Sequence, residues 1–444
     1  MFGPGESSVV VECASNGTCA VIHAIVTSLI LFFLLLTGFA YTTVLERRFL
    51  AFIQSRLGPN RAGPQGLLQP VADGIKLIFK EDVTPESAQK VVFWIAPVIK
   101  LVPSLLVVAV IPFGPPISVP WFNGKWYHMS QGLADVNVGV LWVLGITSVG
   151  IYGIVLAGWS SNNKYAMLGG LRSSAQMVSY ELSMGLSVVV PVLLAGSMSI
   201  GDIIDAQNKT PILGWFVFQN PLAAMILVVA LLAEVNRSPF DMPEAEQELT
   251  AGYHAEYSGM KFAMFFLAEY VSMIAVSMIG AAMYFGGYHL FFVDKAPLLG
   301  PLVYSIKVVL LLMIMIWVRG TLPRIRYDRL MAFGWKVMLP LALVAVAWSS
   351  VTVILSEELN SGTYIIVIAA SWVIFLAGMA IWFTRVGRKP VPAMAVQPIE
   401  VVSLSGGQGT GTLAFRALDR LIGLPISLVN AITGRGKKHD GANG

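Results

Sequence analysis

The sequence predicts an all-α polytopic membrane protein, and three observations carry that prediction. Charged residues are 12% of the 444 positions, against roughly 25% in soluble domains. Mean hydropathy is +0.73. Several windows stay apolar for about 20 residues, the length an α-helix needs to cross about 30 Å of hydrocarbon.

The elements follow in order. Residues 1–21 hold no Lys or Arg, so they lack the basic start of a cleavable signal peptide and read as an outside N-terminal segment. Cys13 and Cys19 lie there; a local disulfide and two free thiols both remain open, and their spacing suits neither a zinc nor an iron–sulfur site. Apolar windows then recur near 22–45, 91–112, 136–159, 174–195, 215–235, 260–285, 302–319, 335–355 and 363–384. Between the first two, Leu67, Leu68, Val71, Ala72, Ile75, Ile78 and Phe79 share one helical face, opposite Gln69, Asp73, Lys76 and Lys80. Such a short amphipathic helix is expected to lie in the membrane interface, against lipid or a partner. Residues 386–411 read as a linker, and 412–432 as a second interfacial helix.

Basic residues orient the spans. Arg47, Arg48, Arg56, Arg61, Lys76, Lys164, Arg172, Arg237, Arg319, Arg324, Arg326, Arg329, Lys336, Arg385 and Arg388 fall on one side, while Lys125, Lys209 and Lys295 fall on the other. The positive-inside rule then places the N-terminus outside and the C-terminus in the cytoplasm.

Two features carry chemistry. Glu181 falls inside a span with Tyr180 beside it, and a mid-membrane carboxylate marks a proton relay, an ion pair or a wet cavity. Lys100 and Lys307 also fall inside spans and could pair with it. The stretch from Glu234 to Glu269 holds Glu234, Asp241, Glu244, Glu246, Glu248, Glu256 and Glu269, opposed only by Arg237 and Lys261. Asp241 suits the cap of a helix beginning at Met242. Crowded carboxylates titrate as a coupled group, which suits proton handling; a solvated acidic loop is the plain alternative. No phosphate loop, dinucleotide fingerprint, nucleophile elbow or metal-ligand spacing is present, and nothing suggests a nucleic-acid surface.

The segments ERRFLAFIQSRLGPNRAGPQGLLQPVADGIKLIFKED (46–82), LAEVNRSPFDMPEAEQELTAGYHAEYSG (232–259) and WVRGTLPRIRYDRLMAFGWK (317–336) closely resemble hallmark segments of the H subunit of proton-translocating NADH–quinone oxidoreductase, the subunit 1 family of respiratory complex I. The resemblance spans about 22–355. It implies eight core transmembrane helices forming a quinone chamber, with quinone as substrate and no redox centre in this chain. FMN and iron–sulfur clusters are expected on partner subunits. Partners would be hydrophilic quinone-site subunits, small membrane-arm subunits and lipids. It assigns Glu46, Arg47, Arg56, Asp73, Lys76, Arg319, Arg324 and Arg326 to the chamber. It assigns Tyr180, Glu181, Glu234, Asp241, Glu244, Glu246, Glu248 and Glu256 to the proton path. No residue of this chain is expected to be catalytic, and the chain is not expected to act alone. The implied setting is the bacterial plasma membrane, ahead of the mitochondrial inner membrane.

The expected organisation is therefore an outside segment 1–21, a core 22–355, an extra transmembrane helix 356–385 and a cytoplasmic tail 386–444, the last two without a counterpart in the family. Two other functions compete: the homologous membrane subunit of a hydrogenase-type complex, and a stand-alone cation–proton antiporter.

Overall fold

The computed structural model describes residues 10–13, 17–120, 126–209, 214–242, 251–290 and 296–358, with isolated positions to 381. The chain divides into two compact units, Met1–Ile381 and Trp382–Gly444. The second lies outside the described residues, as do the expected linker and the expected helix at 412–432. The expected span at 363–384 lies almost wholly outside them.

The chain is a polytopic helical membrane protein. Its principal helices are α1 (Gly17–Ile53), α2 (Gln69–Phe79), α3 (Lys90–Val108), α4 (Gly139–Ser160), α5 (Lys164–Ala195), α6 (Ile200–Ala206), α7 (Phe216–Gln219), α8 (Pro221–Glu234), α9 (Gly259–Tyr284), α10 (Gly300–Thr321), α11 (Tyr327–Phe333) and α12 (Leu339–Glu358). Seven helical segments among the described residues are long and apolar enough to cross a bilayer. The window at 215–235 is divided: Asn220 ends α7, and its side chain accepts from Ala223 N to start α8, which has 14 residues.

Local chemistry sets these boundaries. The Asn163 side chain accepts from Tyr165 N and opens α5, and Gly196 at φ 71° closes it, the left-handed stop that glycine adopts without cost. Gly169 faces Gly252, and a Cβ on Gly169 would stand 2.5 Å from the Gly252 Cα. Glycine there lets the loop after α8 rest directly on α5. The main core joins Met184 and Val188 of α5, Leu227 and Leu231 of α8, and Met273 and Ile279 of α9. Ile25, Leu29 and Phe33 of α1 point outward and are about half-exposed, a surface that hydrocarbon can cover.

Beside the expected helices the described residues form a small sheet. Its three strands, ordered β1 (Val10–Glu12), β3 (Trp126–Met129), β2 (Ile117–Pro120), pair β1 parallel and β2 antiparallel to β3. A Cys13–Cys19 disulfide joins the end of β1 to the start of α1, and Tyr127 packs on it.

Candidate functional site

Four charged groups far apart in sequence meet between α1, α9, α10 and the loop after α8. Glu46 is buried on α1 and accepts from Arg319, in the last turn of α10. Arg237 stands 3.6 Å from the same carboxylate and 3.3 Å from Glu269 of α9. Its guanidinium also lies 4.4 Å from the centre of the Tyr270 ring. Two carboxylates thus meet two guanidiniums. That balance matters because removing one partner of a buried pair strands the other, at a cost of about 3–5 kcal/mol.

The loop carrying Arg237 is fixed by α5. Gln176 Nε2 donates to Ala233 O at 3.0 Å, to Phe240 O at 2.8 Å and to Asn236 Oδ1 at 3.2 Å. Ile325 N donates to Pro239 O at 3.1 Å, tying the loop to the segment after α10. In the sequence Arg237 stands out as a topology signal and as one of two bases opposing the acidic stretch, and Glu269 only as one acid of that stretch. A lone arginine within that stretch is the available clue.

A second group lies deeper among the helices. Glu234 ends α8, is buried, and lines a cavity of about 40 Å³ with Lys100, Ser104, Thr147 and Ser272. At roughly 10–15 Å³ of such space per molecule, the cavity has room for water. Glu181 of α5 is half-buried and accepts a hydrogen bond from Ser148 of α4. Tyr180 points elsewhere: it is fully buried, and its hydroxyl donates to Leu330 O at 3.0 Å. It anchors α11 to α5.

Other predicted residues lie nearer solvent. Asp73 of α2 pairs with Arg47 at 2.7 Å. Arg48 donates to Gln65 O, and Arg56 to Gln54 Oε1 at 2.7 Å. Lys76 is exposed. Arg324 lies 3.9 Å from Met242 Sδ, and Arg326 forms an exposed pair with Asp328 at 3.2 Å, a kind of contact that contributes little. The apolar face of α2 is laid open, with Val71, Ile75, Ile78 and Phe79 all more than half exposed.

The acidic stretch is only partly described. Asp241 is half-buried, and Glu256 accepts from Asn163 Nδ2 at 2.6 Å. Glu244, Glu246 and Glu248, with the expected helix beyond Met242, lie outside the described residues. Lys261 is buried beyond them: its Nζ meets Asp82 at 3.0 Å and Thr84 Oγ1 at 2.6 Å, over the rings of Phe93 and Trp94. This clamps the 80–84 loop to the start of α9. Burial pushes the neighbouring His254 imidazole down to about 3, so it is neutral near pH 7.

Lys307 does not pair with Glu181. Its Nζ donates to Phe285 O at 2.7 Å and to Gly287 O and His289 O at 2.8 Å each, beneath Trp215. Lys100 faces the charges of Glu234 and Glu269 instead. Near the loop that Lys307 caps, Asp205 accepts from Tyr288 and pairs with His289, each at 2.8 Å. Burial works to raise the Asp205 carboxyl, but the His289 and Tyr288 hydrogen bonds outweigh it and hold the group below its ordinary value. Among the described residues no three His, Cys, Asp or Glu side chains gather as metal ligands would.

Known proteins share most of this chain. The family model "NADH dehydrogenase" matches residues 26–350. An H subunit of NADH–quinone oxidoreductase from Syntrophobacter fumaroxidans is 49% identical over 331 residues, 74% of this chain and 95% of that one. One from Geobacter sulfurreducens is 48% identical over 316 residues, 71% and 92%. The H subunit of the same oxidoreductase from Leptospira biflexa is 45% identical over 342 residues, 74% and 94%.

Proposed function

Since the chain belongs to the H-subunit family of NADH–quinone oxidoreductase, we propose that it forms the quinone chamber of that complex and couples quinone reduction to proton movement through its buried carboxylates. The observation that carries this reading is the run of charge from the helix ends that hold Glu46 and Arg319 to the helix interior. Glu46, Arg319, Arg237 and Glu269 form one cluster. Glu234 ends the helix that leads into the loop of Arg237 and lines an internal cavity, and Glu181 lies on the adjoining α5.

The mechanism follows from charge balance. Reducing a quinone adds negative charge, and protons then move toward it. A carboxylate–guanidinium cluster that is neutral at rest responds to that charge by shifting partners, because its pairs are exchangeable: Arg237 already serves two acids. The carboxylates of Glu234 and Glu181, outside that cluster, then gain or lose protons in step. The acids Glu244, Glu246 and Glu248 would join the chamber to this path. FMN and iron–sulfur clusters belong to partner subunits, which supply the electrons; this chain supplies the walls and the proton carriers.

In the same reading α2 lies in the interface plane with its open apolar face toward lipid or quinone, beside Arg47, Arg56 and Lys76. Arg324 and Arg326 face hydrophilic partner subunits. The membrane is the bacterial plasma membrane. The N-terminus is outside, as the basic loops require, and the Cys13–Cys19 disulfide fits that side, where thiols oxidise. Eight helices make the core, counting α7–α8 as one span; the expected ninth span at 356–385 lies almost wholly outside the described residues, and the tail 386–444 wholly so.

The test is proton pumping in membranes holding the whole complex. Glu181→Gln and Glu248→Gln should each lower NADH-driven proton uptake at least about tenfold, equivalent to some 1.4 kcal/mol of lost driving interaction, with the complex still assembled. Wild-type uptake in both variants would refute the carboxylate path.

A further inference from the structure

Lys100 has no role in the path just described, yet it is the cation placed against that path's most enclosed acid. It projects from the middle of α3 with 8% of its surface exposed. A buried ammonium is costly, and one that persists inside a membrane helix needs a compensating charge or a wet cavity. Lys100 has both. Its side chain and Glu234 line the same cavity, whose other polar walls are Ser104, Thr147 and Ser272. One carboxylate oxygen of Glu234, Oε2, is buried with no hydrogen-bond partner in the protein. Among the described residues no ion pair within 4 Å joins Lys100 to an acid, so the cavity separates the two groups.

The packing around the lysine is shaped to admit it. α4 crosses α3 at Gly150 and Gly153. A Cβ on Gly153 would stand 2.7 Å from the Lys100 backbone nitrogen, and one on Gly150 would reach 3.9 Å from Nζ. Bare backbone at these two places brings α4 against α3 and leaves the ammonium its route into the cavity. The charged groups around it are Glu234 from α8 and Glu269 from α9; α5 adds Glu181, which acts on Glu234, and α4 adds the neutral Thr147 and Ser148.

We propose that Lys100 is a proton-carrying link of the path, exchanging one proton with Glu234 across the cavity. The step balances: an Nζ–H bond of the ammonium breaks as an O–H bond forms on the carboxylate, leaving a neutral amine and a neutral acid, with no change in net charge. Water in the cavity bridges the distance by the usual relay. The amine is recharged from the Glu181 side or the Glu269 side, so the lysine resets the acid between turnovers. The inference rests on the carboxylate-path reading.

The experiment uses the assembled complex in native membranes, with Lys100→Met, Lys100→Arg and Glu234→Gln made separately. Protons taken up per NADH oxidised, and the pH profile of that ratio, are measured with assembly checked on a native gel. The carrier role predicts that Lys100→Met lowers the ratio at least about tenfold. Lys100→Arg should stay low too, because a guanidinium keeps its proton across the accessible pH range. It should also remove the alkaline limb of the pH profile. A wild-type ratio in Lys100→Met overturns the inference, and so does full rescue by Lys100→Arg, which would make the lysine a fixed counter-charge. If Glu234→Gln also pumps normally, the carboxylate path itself is wrong. If Glu234→Gln fails while Lys100→Met is normal, the lysine inference alone fails.

Discussion

Lys307 and Arg319 stand 12 residues apart on α10, about 18 Å along its axis, and they use their charge in opposite ways. The three protons of Lys307 are committed to three carbonyls of the loop that ends α9. Backbone carbonyls neither titrate nor change partner, so this cation is a fastener. Arg319 meets Glu46, which is shared with Arg237, which in turn reaches Glu269. The ions of this cluster share partners, so a charge arriving nearby can redistribute them. A cation buried near the membrane therefore reveals its role through what it binds, more than through the fact of its burial.

The largest effect expected from breaking this contrast is at Arg237. Arg237→Met leaves Arg319 as the guanidinium paired with Glu46 and removes the guanidinium 3.3 Å from Glu269, so the buried cluster is left with excess negative charge, a loss of up to about 3–5 kcal/mol. Assembly of the complex, followed by native gel and thermal inactivation, should fall sharply. A fully assembled variant with normal thermal stability would show that the cluster is solvated rather than buried.

A moderate effect is expected at the fastener. Lys307→Met leaves carbonyls of the α9 loop without donors, at about 1–3 kcal/mol by the usual cost of an unmade buried hydrogen bond. The melting temperature should drop while the ratio of protons to NADH stays at the wild-type value. A changed ratio would move Lys307 from the fold into the proton path.

The smallest effect is at Asp205, which is only partly enclosed. Its carboxyl is held below the ordinary value by the His289 and Tyr288 hydrogen bonds against the upward pull of burial. A depressed carboxylate contributes stability above its unfolded value near 4, and loses it as pH falls through the lower folded value. Melting curves recorded from pH 6 downward should show a shallower acid decline for Asp205→Asn than for the wild type. Parallel declines would mean that the contacts around Asp205 do not persist in solution.

The helices are legible in the sequence because lipid imposes a long apolar window on any spanning helix, and α3, α4, α5, α9 and α10 each supply one. The window over 215–235 conceals its break at Asn220, since one asparagine and one proline barely alter an average. The sheet is not legible: strands of three and four residues carry no alternation to detect, and β1 pairs with a strand more than a hundred positions away. Within the site, each acid is visible as a charge out of place, but its partner is not. Glu46 and Arg319 are separated by 273 positions, and only the packing of α1 against α10 joins them. That Lys307, one of two lysines that could pair with Glu181, does not do so has a related reason. Sequence shows which charges need compensation but does not show backbone carbonyls converging on one of them. Tyr180 and Glu181 illustrate the limit within one helical turn: neighbours in sequence, they lie about 100° apart on α5, one fastening α11 and the other facing α4.

The contrast between exchangeable and committed charges is tested most directly by one comparison: protons moved per NADH oxidised in native membranes, with Glu181→Gln beside Lys307→Met at a temperature where both complexes are assembled. If the carboxylates carry protons and Lys307 only fastens a loop, the ratio falls at least about tenfold in Glu181→Gln and is unchanged in Lys307→Met. Equal ratios in the two variants, whether both normal or both lost, would contradict that division of roles.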